Sequence, residues 1–150
     1  MNCRDWWCRT CQKSHIECTC GNLIVTTNGC FDGLHQGHLF FLGFCRAQGG
    51  RLIVGINTDE YIIKRKRPVP IPQDQRRQDL LDLGFVEDVE IFQDDNPNEF
   101  LRRRRPDIHC IGEEYRDTAV ELEVCRKLGI RVVYVPRIGK WSSSLIRGKK

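Results

Sequence analysis

The sequence predicts one α/β domain built on a doubly wound, parallel five-stranded sheet, preceded by a cysteine-rich extension. Three observations predict it. Short runs of β-branched and apolar residues recur five times after residue 22, and segments of helical pattern separate them. The most regular of these runs, Arg51 to Asn57, has an unbroken apolar centre, as a strand covered on both faces requires. Glycines stand after two of the helical segments, at Gly49-Gly50 and at Gly129, where a helix is expected to stop. Strands alternating with helices imply parallel pairing through right-handed crossovers, with helices on both faces.

The chain divides at residue 21. Residues 1–21 hold five of the nine cysteines, and residues 22–150 hold the α/β pattern. Cys8-x-x-Cys11 followed by Cys18-x-Cys20 offers four thiolates to a tetrahedral zinc ion, with Zn–S bonds of about 2.3 Å. Cys3 and His15 are spare donors. So short a segment cannot bury a core, so Zn²⁺ would supply its folding energy, and Trp6 and Trp7 would pack it on the main domain. The competing reading is a tail without metal.

From Leu23 the elements follow in order. Leu23 to Thr27 is the first strand, and Leu39 to Ala47 a helix. Arg51 to Asn57 is the second strand, followed by a loop with Pro68, Pro70 and Pro72 and a helix from about Asp74 to Leu83. Val86 to Phe92 is the third strand, Asn98 to Arg104 a short helix, and Asp107 to Gly112 the fourth strand. Thr118 to Leu128 is a helix, and Arg131 to Val135 the fifth strand.

With 150 residues the chain suffices for one domain with a core. Its longest apolar runs are far too short to span a membrane. The first residues carry charges and cysteines where an export signal would be apolar, and the expected location is the cytoplasm. An odd cysteine count without such a signal argues against a disulfide framework, and Cys30, Cys45, Cys110 and Cys125 read as buried thiols. The net charge of +4 is concentrated in Lys64 to Arg67 and Arg102 to Arg105. Either run suits a polyphosphate or a nucleic acid, but the second, inside a helical segment, reads as a solvated face.

The densest chemical signal is Gly29 to His38. It joins the first strand to the first helix, so backbone N–H groups and the positive end of a helix meet at one point, which favours a phosphate. His35 and His38 lie about one helical turn apart, so their rings converge if the helix begins near residue 35. Gly29, Gly33 and Gly37 leave room for a tight turn or a ligand. In a Rossmann-like doubly wound sheet, ligands sit beyond the carboxyl ends of the strands where the strand order reverses. That places Gly112 to Tyr115 and Arg137 to Arg147 beside the histidine turn. Neither a Walker A sequence nor a dinucleotide Gly-x-Gly-x-x-Gly is present.

Gly29-x-Phe31-Asp32-x-x-His35-x-Gly37-His38 resembles the signature of the cytidylyltransferase-like nucleotidyltransferases. Glycerol-3-phosphate cytidylyltransferase and the heptose-1-phosphate adenylyltransferase domain are the nearest comparisons. The likeness extends over about residues 22–148, through Asn57-Thr58-Asp59-Glu60, the basic loop Lys64 to Arg67, Arg76, Gly112-Glu113-Glu114-Tyr115, and Arg137 to Ile146. Trp141 replaces a small apolar residue of the last motif, and that motif's acidic residue is missing.

The resemblance implies transfer of CMP or AMP from a nucleoside triphosphate to a small phosphorylated acceptor. His35, His38, Lys66 and Arg137 would be catalytic. Gly29, Cys30, Phe31, Asp32, Gly37, His38, Arg76, Gly112, Glu114, Tyr115, Ser142, Ser143 and Ser144 would bind the nucleotide, with the serines opening a short helix. Asp32 would orient the turn rather than bind metal. Mg²⁺ would come with the nucleotide, and the family is often dimeric. The alternative is a regulatory module that binds nucleotide or nucleic acid without catalysis, using the zinc knuckle and the basic runs.

Overall fold

The computed structural model describes residues 7–8, 13–14, 23–65, 71–94 and 96–137. Seven strands are described: β1 (Trp7–Cys8), β2 (Lys13–Ser14), β3 (Leu23–Gly29), β4 (Gly50–Asn57), β5 (Asp88–Phe92), β6 (Ile108–Gly112) and β7 (Arg131–Val135). Five helices accompany them: α1 (Gln36–Ala47), α2 (Asp59–Lys64), α3 (Gln73–Leu81), α4 (Asn98–Arg104) and α5 (Leu122–Leu128). β1 and β2 form a two-stranded antiparallel pair. The other five make one parallel sheet in the order β5-β4-β3-β6-β7.

That order has a functional consequence. The chain leaves β3 toward β4 and β5, then returns to β3's other side for β6 and β7, so the topological switch point lies between β3 and β6. A crevice opens at such a point beyond the strands' carboxyl ends.

The alternation of side chains along β4 builds two cores. Leu52, Val54 and Ile56 face Leu42 and Cys45 of α1 and Leu80 of α3, whereas Ile53 faces Phe100 and Leu101 of α4 and Val124 and Cys125 of α5. The sheet is thus wound on both faces, as expected.

Several boundaries differ from expectation for local reasons. α1 begins at Gln36, three residues earlier than the apolar pattern, because His35 caps it. α2 was expected to be a turn. Thr58 caps it by accepting the Tyr61 N–H at 3.1 Å, and Asp59 and Glu60 occupy its first turn, where they favour the helix dipole. α5 starts at Leu122 rather than Thr118. Residues Thr118 and Ala119 donate to the Tyr115 carbonyl instead, and Glu121 turns inward.

Glu121 meets His109 in the second core. His109 is fully buried, with Nδ1 2.8 Å from the Thr26 hydroxyl and Nε2 3.3 Å from Glu121 Oε2. One neutral tautomer satisfies both contacts: Nε2–H donates to Glu121, and Nδ1 accepts from Thr26. Burial pushes the Glu121 carboxyl up, but His109 and the residue's own backbone N–H outweigh burial, and the net shift is downward. A depressed folded-state value means the stabilisation is present above the unfolded value and is lost as pH falls through the folded one. Glu121→Gln is therefore expected to lower stability at neutral pH, with the gap from wild type closing as pH falls below about 4.5. Denaturant melts from pH 7 to pH 3 check this.

The arginine run faces solvent, as expected, but three of its four side chains are ion-paired. Arg102 pairs with Glu99, Arg103 with Glu90, and Arg104 with both Asp88 and Glu90 at 2.8 Å. Two of the four arginines, Arg103 and Arg104, thereby pair with edge strand β5, and Arg102 pairs within its own helix. Arg105 ends α4 with φ 45°, donating its N–H to the Leu101 carbonyl at 2.8 Å. A left-handed residue with a Cβ is strained, so Arg105→Gly is expected to stabilise the fold by about 0.5–1 kcal/mol in denaturant titrations.

Candidate active site

The carboxyl end of β3 runs into a turn that returns to α1. Within it Phe31 adopts φ 49°, unusual for an aromatic residue. Its ring is buried 5.3 Å from the His38 ring, centroid to centroid. Gly29 makes the packing feasible, because a Cβ there would lie 3.0 Å from the Phe31 ring. Strain of this kind persists where the surroundings over-determine it, which is common at functional sites.

The two histidines converge as the spacing predicts. Their ring centroids are 3.9 Å apart and the planes are inclined by 31°. His35 Nδ1 accepts the Gly37 N–H at 3.0 Å. A nitrogen that accepts carries no proton, so in the neutral ring the proton resides on Nε2. That Nε2, and Nδ1 of His38, are shielded from solvent and have no hydrogen-bond partner among the described residues. Buried polar atoms are nearly always paired, so two orphans on adjacent rings point to an absent ligand.

Burial, and then the His35 ring beside it, hold His38 down at about 4, with a backbone contact from Gly33 acting in the opposite sense. Burial lowers His35 as well. At pH 7 both rings are therefore neutral and act as polar hydrogen-bonding groups. An anion bound against them would favour their protonated forms.

The other residues expected here divide into three groups. Asp32 orients the turn, since its Oδ1 accepts the Ile71 N–H at 2.8 Å. Cys30 is half-buried, with its thiol 3.5 Å from Asn57 Oδ1, whereas Cys45, Cys110 and Cys125 are buried as expected. Gly112 ends β6 beside β3, and Glu113 to Tyr115 follow as an exposed 3₁₀ turn on the same edge of the sheet. Arg137 is exposed just past β7. Lys64 and Arg65 are exposed at the end of α2, with the Arg65 guanidinium 3.6 Å over the Tyr61 ring. Lys66 and the serines Ser142, Ser143 and Ser144 lie outside the described residues, as do Cys11, Cys18 and Cys20; Cys8 is described in its backbone only. Among the described residues no group of three or more His, Cys, Asp or Glu is placed to hold a metal.

Arg76 differs most from its expectation as a free cation. It is fully buried and donates to the carbonyls of Ile71, Cys30 and Asn57 at 2.8, 2.9 and 2.9 Å, and to Asp59 Oδ1 at 2.7 Å. Asn57 and Asp59 were absent from the expected site. The Asn-Thr-Asp stretch carries part of the resemblance but gives these residues no role, and their partnership with Arg76 supplies one.

Two neutral imidazoles with unpartnered ring nitrogens, at the switch point of a doubly wound parallel sheet, define a Rossmann-like α/β protein. The family model described as cytidylyltransferase-like matches residues 26–149, and the chain belongs to that family. It is 38% identical over 131 residues to the bifunctional protein HldE of Magnetococcus marinus, an alignment covering 85% of this chain and 27% of the relative. It is 45% identical over 98 residues to HldE of Pseudomonas aeruginosa, covering 63% of this chain and 20% of that one. The chain therefore spans about a quarter of the length of the curated relatives it matches. Among solved structures, a lipopolysaccharide core biosynthesis protein from Thermoplasma volcanium superposes with TM-score 0.64 at 25% identity, covering 80% of this chain and 98% of that one. Pantothenate synthetase from Thermus thermophilus, at TM-score 0.59 and 15% identity with 84% and 62% covered, shares the fold. No helix among the described residues is long and apolar enough to cross a membrane.

Proposed function

We propose that the chain transfers a nucleotidyl group, CMP or AMP, from a nucleoside triphosphate to a small phosphorylated acceptor, a sugar phosphate in the first instance. The observation that carries this reading is the pair of adjacent neutral histidines with unpartnered ring nitrogens at the start of α1. An oxygen of the acceptor phosphate attacks the α-phosphorus, the bond to the β-phosphate oxygen breaks, and pyrophosphate leaves with its electron pair. The acceptor phosphate is already an anion, so no general base is needed. Charge builds on the α-phosphate oxygens, and His35 Nε2–H is free to donate there.

Lys66 and Arg137 would supply positive charge, and Ser142 to Ser144 donors for the β- and γ-phosphates. Gly112, Glu114 and Tyr115 would border the base. Mg²⁺ would arrive with the triphosphate, whose oxygens provide most of its ligands, and would offset charge on the phosphates. The four-cysteine zinc site and the division at residue 21 are retained as proposals. The pairing of Trp7–Cys8 with Lys13–Ser14 outside the five-stranded sheet supports the division. A homodimer is also proposed. Nucleic acid is not the proposed partner, and the ion-paired state of Arg102 to Arg104 supports that choice.

The test is pyrophosphate release from ATP, CTP, UTP and GTP with Mg²⁺, against a panel of sugar, alcohol and amino-alcohol phosphates. Release requiring one nucleotide and one acceptor is the expected result. Silence across the panel, with no nucleotide binding by calorimetry, would overturn the reading. Zinc is checked by metal analysis of the purified chain.

A further inference from the structure

Arg76 lies at the end of a physical chain that leads to the histidines. A guanidinium has five N–H donors in a rigid planar fork. Here the fork joins segments that are far apart in sequence: Cys30 in the histidine turn, Asn57 at the end of β4, Asp59 at the start of α2, and Ile71 ahead of its own helix α3. Three of those acceptors are main-chain carbonyls, so the fork fixes backbone rather than side chains. Asp32 adds a second link between the same turn and Ile71. Gln73 adds a third link around the brace, accepting the Asp59 N–H at 2.8 Å.

The Cys30 carbonyl is the link that matters for chemistry. The next residue is Phe31, held in its left-handed conformation with its ring against His38. A turn in that conformation relaxes unless its neighbours over-determine it. The fully buried guanidinium supplies that determination through its bond to the Cys30 carbonyl.

We propose that Arg76 is a positioning residue for nucleotidyl transfer, bracing the Cys30–Phe31 turn so that His38 is held where the α-phosphate reacts. This rests on the function proposed above and departs from the role of a cation on the triphosphate. The two roles separate cleanly. A free cation would be replaced in part by lysine and would show mainly in the KM for nucleotide. A brace needs the planar fork, which an ammonium cannot reproduce, and shows in kcat.

The experiment compares Arg76→Lys, Arg76→Gln and Asp59→Asn in the full chain. Each is measured for kcat, for KM for nucleotide, and for the His35 and His38 titrations by NMR. Misplacing a reacting group by about 1 Å costs on the order of 100-fold, so both Arg76 variants are expected to lose about 10- to 100-fold in kcat, with KM within about threefold of wild type. Asp59→Asn keeps an acceptor but removes the ionic partner, and is expected to show a smaller kcat loss in the same direction. The His38 midpoint, about 4 in the wild type, is expected to rise toward that of an ordinary histidine in both Arg76 variants as the ring loses its packing.

Arg76→Lys with wild-type kcat, or with a loss confined to KM, would overturn the proposal. So would an unmoved His38 titration in a folded Arg76 variant. Should the Arg76 variants fail to fold, Asp59→Asn decides: wild-type kcat and wild-type histidine titrations there would also overturn it. A wild-type chain without any transfer activity would count against the proposed function alone, because the histidine titrations still read the brace.

Discussion

His38→Ala is expected to lower kcat for pyrophosphate release by about 100- to 1000-fold while the protein still melts cooperatively, the usual cost of removing one donor to a developing oxyanion. The loss should fall on kcat more than on KM, since the α-phosphate oxygens gain charge on the way to the transition state, and a hydrogen bond to them strengthens there. The two histidines are not equivalent. His35 also caps α1 through Nδ1, so His35→Ala would remove both a cap, worth about 1 kcal/mol, and the Nε2 donor. His35→Asn separates the two effects, because asparagine is a good cap and lacks the distal donor. It is expected to keep wild-type stability and still lose activity. Steady-state kinetics with the identified nucleotide and acceptor, alongside thermal melts, read both effects. A kcat for His38→Ala within about threefold of wild type would remove His38 from the chemistry.

The histidine turn was legible because the residues that carry its chemistry are local, although its brace is not. Strand end, glycines, two histidines at helical spacing and the start of α1 all fall between Leu23 and Ala47. The five parallel strands were legible for the same reason, each being a short apolar run between turn signals. Arg76 was not. In Gln73-Asp74-Gln75-Arg76-Arg77-Gln78 no local pattern separates it from Arg77, and the resemblance that singles it out does not give its burial, yet Arg76 is fully buried and Arg77 lies partly exposed beside Val89 and Asp88. The difference comes from acceptors 19 and 46 positions away in the chain, which no local pattern records. His109 is a similar case. It occupies an apolar strand, and its partners Thr26 and Glu121 are brought to it by the pairing of β3 with β6 and by the chain's approach to α5. The arginine run was legible as a solvated face, but not the pairing of Arg103 and Arg104, whose carboxylates Asp88 and Glu90 lie on another element. Short-range chemistry is written in neighbouring residues, whereas charge compensation and burial follow from topology.

Phe100→Ala carries the largest expected effect on stability. Phe100 is fully buried in the core under α4 and α5, and its ring stacks on Phe92 with centroids 5.7 Å apart and planes 20° from parallel. Truncating such a ring costs about 3–5 kcal/mol, a large share of the roughly 5–15 kcal/mol that stabilises a domain. The reason the rings fit lies in β4. A Cβ on Gly55 would lie 2.9 Å from Phe92 and 3.0 Å from Phe100, so the strand carries a glycine where two aromatic rings press on its backbone. Gly55→Ala is accordingly expected to cost about 1–3 kcal/mol by overpacking, despite alanine's better strand conformation. The two changes act on the same space in opposite senses. In the double variant the added methyl occupies volume that the missing ring gives up, so the combined loss should be smaller than the sum of the single losses by about 0.5–3 kcal/mol. Urea titrations of the four proteins close the cycle. Losses that simply add, within about 0.3–0.5 kcal/mol, would mean that Gly55 is not the residue that admits the aromatic pair.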